Sequence, residues 1–176
     1  MRTALSIAGV AIFVLTAAGP ALAQGSGAEA RLKQLNITLP ADQAPAANFV
    51  NSVQAGKLLF LSGNTPGGQW PLKGKVGKDL TIEQGYESAR QTGLIMLGKI
   101  RTALGSLDRV KRVVKVLGMV NSADGFSDQP KVVNGFSDLM VEVFGETVGK
   151  HARSAVGMAG LPGNAPIEVE MIVEVE

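Results

Sequence analysis

A chain of 176 residues is long enough for one domain with a real core, and 17 Lys and Arg against 15 Asp and Glu leave it almost neutral. That balance excludes the electrostatic footprint of a nucleic-acid binder, and the absence of cysteine excludes disulfides, thiolate nucleophiles and Cys-based metal sites. Stability has to come from packing and assembly.

In chain order, Arg2 supplies a positive start and Ala4 to Ala18 is an uncharged apolar run. Pro20 breaks the run, and Ala21-Leu22-Ala23 forms a small-x-small cleavage pattern before Gln24. The run is short for a bilayer and no second one follows. These features predict a signal peptide over 1–23, a periplasmic or secreted protein, and no membrane attachment after cleavage. Residues 24–44 read as leader and lead-in. Gln24 to Ala30 is small and polar, Arg31 to Asn36 suits a short helical turn, and Leu39-Pro40 and Pro45 punctuate an extended approach. The domain proper is expected over 45–176.

Phe49 to Val53 alternates weakly and ends at the Ala55-Gly56 turn, and Lys57 to Gly63 is nearly continuously apolar, so the two form a hairpin. Asn64 to Lys78 is a Pro- and Gly-rich loop. Thr81 with Gln84 makes a capping box for a helix burying Ile82, Tyr86, Ala89, Gly93, Met96, Leu97, Ile100 and Leu104, ending near Gly105. Val110 to Val120 is a Val-rich strand. Its basic stretch, Arg109 to Lys115, lacks the aromatics that stack on bases, so it reads as a solvated strand face. After a polar loop, Lys131 to Phe144 is a second helix, with Gly145 placed to end it. Arg153 to Met158 is a short strand. Ile167 to Val175 alternates in period two, with Glu168, Glu170, Glu174 and Glu176 on one face. The order β-β-α-β-α-β-β predicts an α+β fold: a mixed sheet with two helices on one face.

Counting removes most chemistry. His151 is the single histidine, so no multi-His metal site forms, and no G-x-S-x-G elbow exists for it to serve. There is no phosphate loop, and Asp124 and Asp128 lack calcium-loop spacing. What remains is a pair of polar residues on strands. Arg153 opens an apolar strand and must reach solvent or a planar anion; Glu168 reads as an ordinary strand carboxylate.

Four stretches carry a family resemblance: Ala47-Asn48-Phe49-Val50 with Gly56-x-Leu58-Leu59-Phe60-Leu61-Ser62-Gly63; Val133-Asn134-Gly135-Phe136; Ala152-Arg153-Ser154-Ala155-Val156; and Leu161-Pro162 with Ile167-Glu168-Val169-Glu170. Together they resemble the RidA (YjgF/L-PSP) family, and Leu35-Asn36-Ile37-x-Leu39-Pro40 is similar to one divergent branch of it. The resemblance implies a chorismate-mutase-like fold, a homotrimer with clefts between subunits, and no cofactor or metal. It further implies a deaminase that hydrolyses 2-aminoacrylate-type enamines, through their imines, to 2-oxo acids and ammonia.

In that reading Arg153 holds the substrate carboxylate, while the backbone carbonyl of Ala155 and the side chain of Glu168 position water. Ser62, Gly63 and Asn134 line the cleft and Phe49 walls it. Three positions depart from the family pattern: Phe49 stands for tyrosine, Ala155 for a frequent cysteine, and Gly157 for Glu or Gln. The loop over 65–78 is also longer. The alternative implied by the same cleft is a non-catalytic trimer that binds a small carboxylate or other metabolite. An interaction role, or the RNA cleavage known among relatives, is the third reading, and no nucleic-acid partner is expected.

Overall fold

The computed structural model describes residues 27–176, so the expected signal peptide and its cleavage site lie outside the described residues. The strands are β1 (Ser52–Ala55), β2 (Leu58–Asn64), β3 (Val110–Asn121), β4 (Ala152–Met158) and β5 (Ile167–Val175). The helices are α1 (Ala28–Gln34), α2 (Ile82–Leu104) and α3 (Gln129–Gly149). One sheet in the order β1-β2-β5-β3-β4 results, antiparallel except between β3 and β4. Those two are joined through α3, as parallel neighbours require a crossover. The α+β class, the mixed sheet and the succession of the five strands and two long helices along the chain agree with the sequence reading.

Period-two alternation decides which face is covered. On β5, Ile167, Val169, Met171, Val173 and Val175 are buried, and register pairs them with buried Val113, Val116 and Val120 of β3 and Leu59 and Leu61 of β2. Helices α2 and α3 close that face with Met96, Leu97, Ile100, Phe136, Leu139 and Met140, all fully buried. The Thr81–Gln84 capping box forms as read: the Gln84 backbone N–H donates to Thr81 Oγ1 at 3.2 Å, and the Thr81 N–H to Gln84 Oε1 at 2.9 Å. Gly145 takes φ 77°, a left-handed value, and breaks the regular helix of α3 where the sequence placed its end; a further turn follows to Gly149. At the other end Pro130 occupies the first turn of α3, where no N–H is needed.

Besides the two long helices, a short helix forms where a helical turn was read over Arg31–Asn36, and it starts earlier. Helix α1 begins at Ala28, inside the stretch read as a flexible leader, and it packs on α3 and on the turn at Leu107–Arg109. Its Leu32 is 1% exposed. Glu29 receives Arg101 Nε at 3.0 Å, Arg101 Nη2 at 2.7 Å and the Leu107 backbone N–H at 3.0 Å. A seven-residue helix does not hold itself in water, so these distant partners hold it. The lead-in is likewise part of the same body: Asp42 pairs with Lys99 at 3.0 Å and accepts from Asn51 Nδ2 at 2.9 Å.

That cover explains a second correction. Helix α2 buries Ser88, Thr92 and Lys99 as well as its apolar stripe, because residues 40–43 and the 64–72 loop lie over its other side. Ser88 accepts from Trp70 Nε1 at 2.9 Å and donates to the Gln84 carbonyl at 2.8 Å. Among the described residues every buried side-chain polar atom has a partner.

The two long helices approach most closely at Gly135, where a Cβ would run into the Tyr86 backbone carbonyl and its carbon. Backbone cannot swing aside as a side-chain tip can. Gly135→Ala is therefore expected to cost about 1–3 kcal/mol, the usual range for overpacking a filled core. Urea unfolding monitored by circular dichroism measures it, and an unchanged midpoint refutes the close-packing account.

Candidate functional site

The sequence-derived site residues fall into two groups. The first lies between β4 and α3. Arg153 Nη1 donates to Asn134 Oδ1 at 2.9 Å and to Ser137 Oγ at 3.0 Å. Its Nη2 has only a long contact of 3.5 Å to the Pro130 carbonyl. Both hydrogens of Nη1 are thus used, while the Nε–Nη2 edge, the fork that grips a carboxylate side-on, is left open. No carboxylate among the described residues pairs with Arg153. Asn134 and Arg153 are thus brought together in one protomer.

The second group lies on the sheet face that the helices leave bare. Glu168 of β5 stands opposite Met119 and packs against Gly63, where a Cβ would run into its carboxyl. Ser62 is next to Gly63 and donates through Oγ to the Val50 carbonyl at 2.7 Å, and its N–H donates to the Asn51 carbonyl at 3.0 Å. This ties Ser62 to the segment carrying Phe49, a residue that is 55% exposed. A cavity of about 400 Å³ opens on the same face beside this group, lined by Ser62, Phe60, Lys115, Leu117, Ser154 and Glu170 among others. It does not include Arg153 or Glu168.

Register separates the two groups. Arg153 pairs with Val116, which is buried under the helices, whereas Glu168 pairs with Met119 on the bare face. Within one protomer the cation and the carboxylate lie on opposite faces, two strands apart. Ala155 stands on β4, an edge strand among the described residues, and pairs with Gly118 of β3.

Gly157 has a local explanation. A Cβ there would meet the Gln129 amide nitrogen at 2.8 Å and Ser122 Oγ at 3.1 Å. Gln129, from the first turn of α3, donates to the Phe126 carbonyl at 2.7 Å and so is fixed across the space a larger residue at 157 would occupy. The lengthened loop is similarly pinned: Lys75 Nζ donates to Asn121 Oδ1 at 3.2 Å, Ser122 O at 3.1 Å and Ala159 O at 2.6 Å.

Two residues linked to Arg153 by hydrogen bonds escaped the sequence reading as its neighbours, Ser137 and, through it, His151. Ser137 Oγ lies 3.1 Å from His151 Nε2. The available signal was spacing: Asn134 and Ser137 are three apart on a helix and share a face. No group of three or more His, Cys, Asp or Glu suited to a metal occurs among the described residues, and none of their helices is long and apolar enough to cross a membrane.

Comparison with known proteins gives a consistent answer. The family model described as "YjgF/chorismate mutase-like, putative endoribonuclease" matches residues 29–175. Protein TCP17 of Trypanosoma cruzi is 48% identical over 149 residues, which is 82% of this chain and 92% of that protein. A crystal structure of a protein of unknown function from Agrobacterium tumefaciens superposes with a TM-score of 0.76 at 40% identity, covering 84% of this chain and 91% of that one. A crystal structure described as that of "a putative endoribonuclease", from Shewanella oneidensis, superposes with a TM-score of 0.80 at 30% identity, covering 85% of this chain and 99% of that one.

Burial first, and the neighbouring Glu170 charge second, hold the Glu168 carboxyl above the ordinary glutamate value of 4.5. Its ionisation therefore costs the folded chain more than the unfolded one. The cost is absent where Glu168 is protonated in both states, grows as pH climbs past 4.5, and is complete above the raised folded value. Glu168→Gln is expected to leave stability unchanged near the acid end and to raise the melting temperature by a few degrees at neutral pH. Melting curves of both proteins across that range measure it, and coincident curves at neutral pH reject the assignment.

Proposed function

The chain belongs to the YjgF/chorismate mutase-like family, and from that premise we propose that it hydrolyses 2-aminoacrylate-type imines to 2-oxo acids and ammonia. The observation that carries the reading is the open Nε–Nη2 edge of Arg153, a cation with no carboxylate of its own among the described residues. A 2-imino acid presents the planar anion that this edge fits. Its protonated imine carbon is already electrophilic, so orientation of substrate and water supplies much of the acceleration without metal or covalent nucleophile.

In the proposed reaction Glu168 takes a proton from water as the oxygen bonds to the imine carbon. It returns that proton to nitrogen, the C–N bond breaks, and the carbonyl forms as its hydroxyl hydrogen passes to Glu168 and on to the departing ammonia, which leaves as ammonium. A carboxyl held above its usual value by burial suits a group that must both accept and return a proton near neutrality. The Ala155 carbonyl would accept the water's second hydrogen, with Ser62, Gly63 and Phe49 as the walls.

The separation of Arg153 from Glu168 within one protomer is met, in this proposal, by assembly as a homotrimer whose subunits each lend one group to a shared cleft. The bare sheet face supports self-association: Val53, Phe60, Val156 and Met158 are each more than a third exposed on it. Large apolar side chains left exposed at both sides of one sheet face support a protein contact there. We also propose that segment 1–23 directs export, so that the site works outside the cytoplasm. A carboxylate-binding trimer without turnover is the second reading, favoured by the missing hydroxyl at Phe49.

The test uses 2-iminopropionate generated in situ from alanine by an amino-acid oxidase, with ammonia release followed. Wild type is expected to accelerate release, and Arg153→Ala to lower kcat/KM at least a hundredfold with unchanged circular dichroism. Equal turnover by Arg153→Ala defeats the proposal. Saturable 2-oxobutyrate binding without turnover, lost in Arg153→Ala, would establish the binding reading instead.

A further inference from the structure

A chain of side chains that the proposed reaction does not use runs back from Arg153 to a backbone carbonyl. His151 Nδ1 lies 2.7 Å from the Gly149 oxygen, and His151 Nε2 lies 3.1 Å from Ser137 Oγ. A carbonyl oxygen only accepts, so Nδ1 carries the hydrogen and Nε2 of the neutral ring is an acceptor. Ser137 must then donate its single hydrogen to Nε2, which leaves its lone pairs to accept from Arg153 Nη1 at 3.0 Å. Each direction follows from the one before. The Gly149 carbonyl sets the tautomer, the tautomer sets the hydroxyl, and the hydroxyl presents lone pairs to the guanidinium.

The elements explain why these four meet. Asn134 and Ser137 share a face of α3, and His151 and Arg153, two apart, share a side of the extended chain entering β4. A nucleophilic role for Ser137 does not fit. It sits mid-helix, where the neighbouring backbone N–H groups are already spent on the helix ladder and cannot serve as oxyanion donors.

We propose that Ser137 and His151 are positioning residues for Arg153, turning its Nε–Nη2 edge toward a bound carboxylate while His151 is neutral and releasing it when His151 is protonated. This rests on the role assigned to Arg153 above. A protonated ring carries hydrogen at both nitrogens, so Nε2–H and Nη1–H would both donate to Ser137 Oγ and set two cations on one atom. Burial first, and the Arg153 charge with it, lower the His151 pKa from 6.5 against the opposing pull of the Gly149 carbonyl, which keeps the ring neutral at pH 7.

The surrounding charges do not offset this. Lys150 beside the ring pairs with Glu146 at 2.7 Å. Across a shallow cavity that His151 shares with Leu58 of β2, Arg112 of β3 pairs with Glu174 of β5 at 3.0 Å. No carboxylate facing His151 is left to stabilise an imidazolium. Ligand capture should therefore weaken as pH falls through the lowered His151 value.

His151 is the only histidine in the chain, so heteronuclear NMR reports its ring without overlap. Wild type should show the Nδ1–H tautomer, and Arg153→Ala should raise the midpoint of His151 titration by removing the adjacent cation. An Nε2–H tautomer, or an unmoved midpoint, overturns the proposal. This arm needs no substrate and decides the matter even if no imine is turned over.

The second arm reads KM against kcat. Ser137→Ala is expected to raise KM for 2-iminopropionate, or Kd for 2-oxobutyrate, about tenfold with kcat little changed, as befits one hydrogen bond to a charged group. Ser137→Thr restores the hydroxyl and should restore KM. The acid limb of affinity should disappear in His151→Gln. An unchanged KM in Ser137→Ala, or an acid limb that persists in His151→Gln, sinks the positioning role while leaving the Arg153 assignment standing.

Discussion

Two helices can cover only one face of a five-stranded sheet, and most of this molecule follows from that limit. On the covered side, strict alternation lets Val, Ile, Leu and Met of β2, β3 and β5 interdigitate with the stripes of α2 and α3. On the other side the same alternation puts Phe60, Ile172, Leu117 and Met119 beside Lys115, Glu168 and Glu170, a surface neither dry enough for a core nor polar enough for open water. A one-residue slip of β5 would exchange its two faces, burying glutamates beneath the helices, so the register is strongly held.

How much of this was legible depends on the range of the signal. The strands were readable because period two is local, and the Thr81 capping box and the Gly145 break because each needs only neighbours in sequence. Helix α1 was legible only as a short turn over Arg31–Asn36: its residues are strong helix formers, but seven are too few to hold a helix alone, and the partners of Glu29, Arg101 and Leu107, lie more than seventy residues away. Lys99 and Ser88 broke the apolar pattern of α2 for the same reason; their partners Asp42 and Trp70 arrive on segments that read as lead-in and loop. The site shows the same division. Residue type alone marked Arg153 and Glu168 as worth notice and no more, and family resemblance supplied the role. The faces on which they stand had to come from register.

The arginines divide by what holds them. Arg90, Arg101 and Arg112 each meet a carboxylate, at 2.7, 2.7 and 3.0 Å, and their charge is spent on the chain itself. Arg153 is held by an amide oxygen and a hydroxyl, which fix the guanidinium without cancelling its charge. The distinction matters for an anion site. An aspartate at 134 would orient the fork as well, yet would neutralise the field that draws a ligand carboxylate. Orientation by neutral acceptors is the arrangement that keeps both geometry and charge available.

Glu168 mirrors this condition. No cation among the described residues pairs with it, burial and Glu170 disfavour its charged form, and its carboxyl packs on Gly63. One protomer thus carries an unneutralised cation near its sheet edge and an unsupported carboxylate on its bare face, kept apart by the sheet between them. Each lowers the free energy of the other only if a second copy brings the opposite face alongside. In the proposed assembly the same apposition would cover the exposed Val53, Phe60, Val156 and Met158. Hydrophobic burial and charge complementarity therefore favour the same contact, so in the proposed assembly the force that joins the subunits also builds the site.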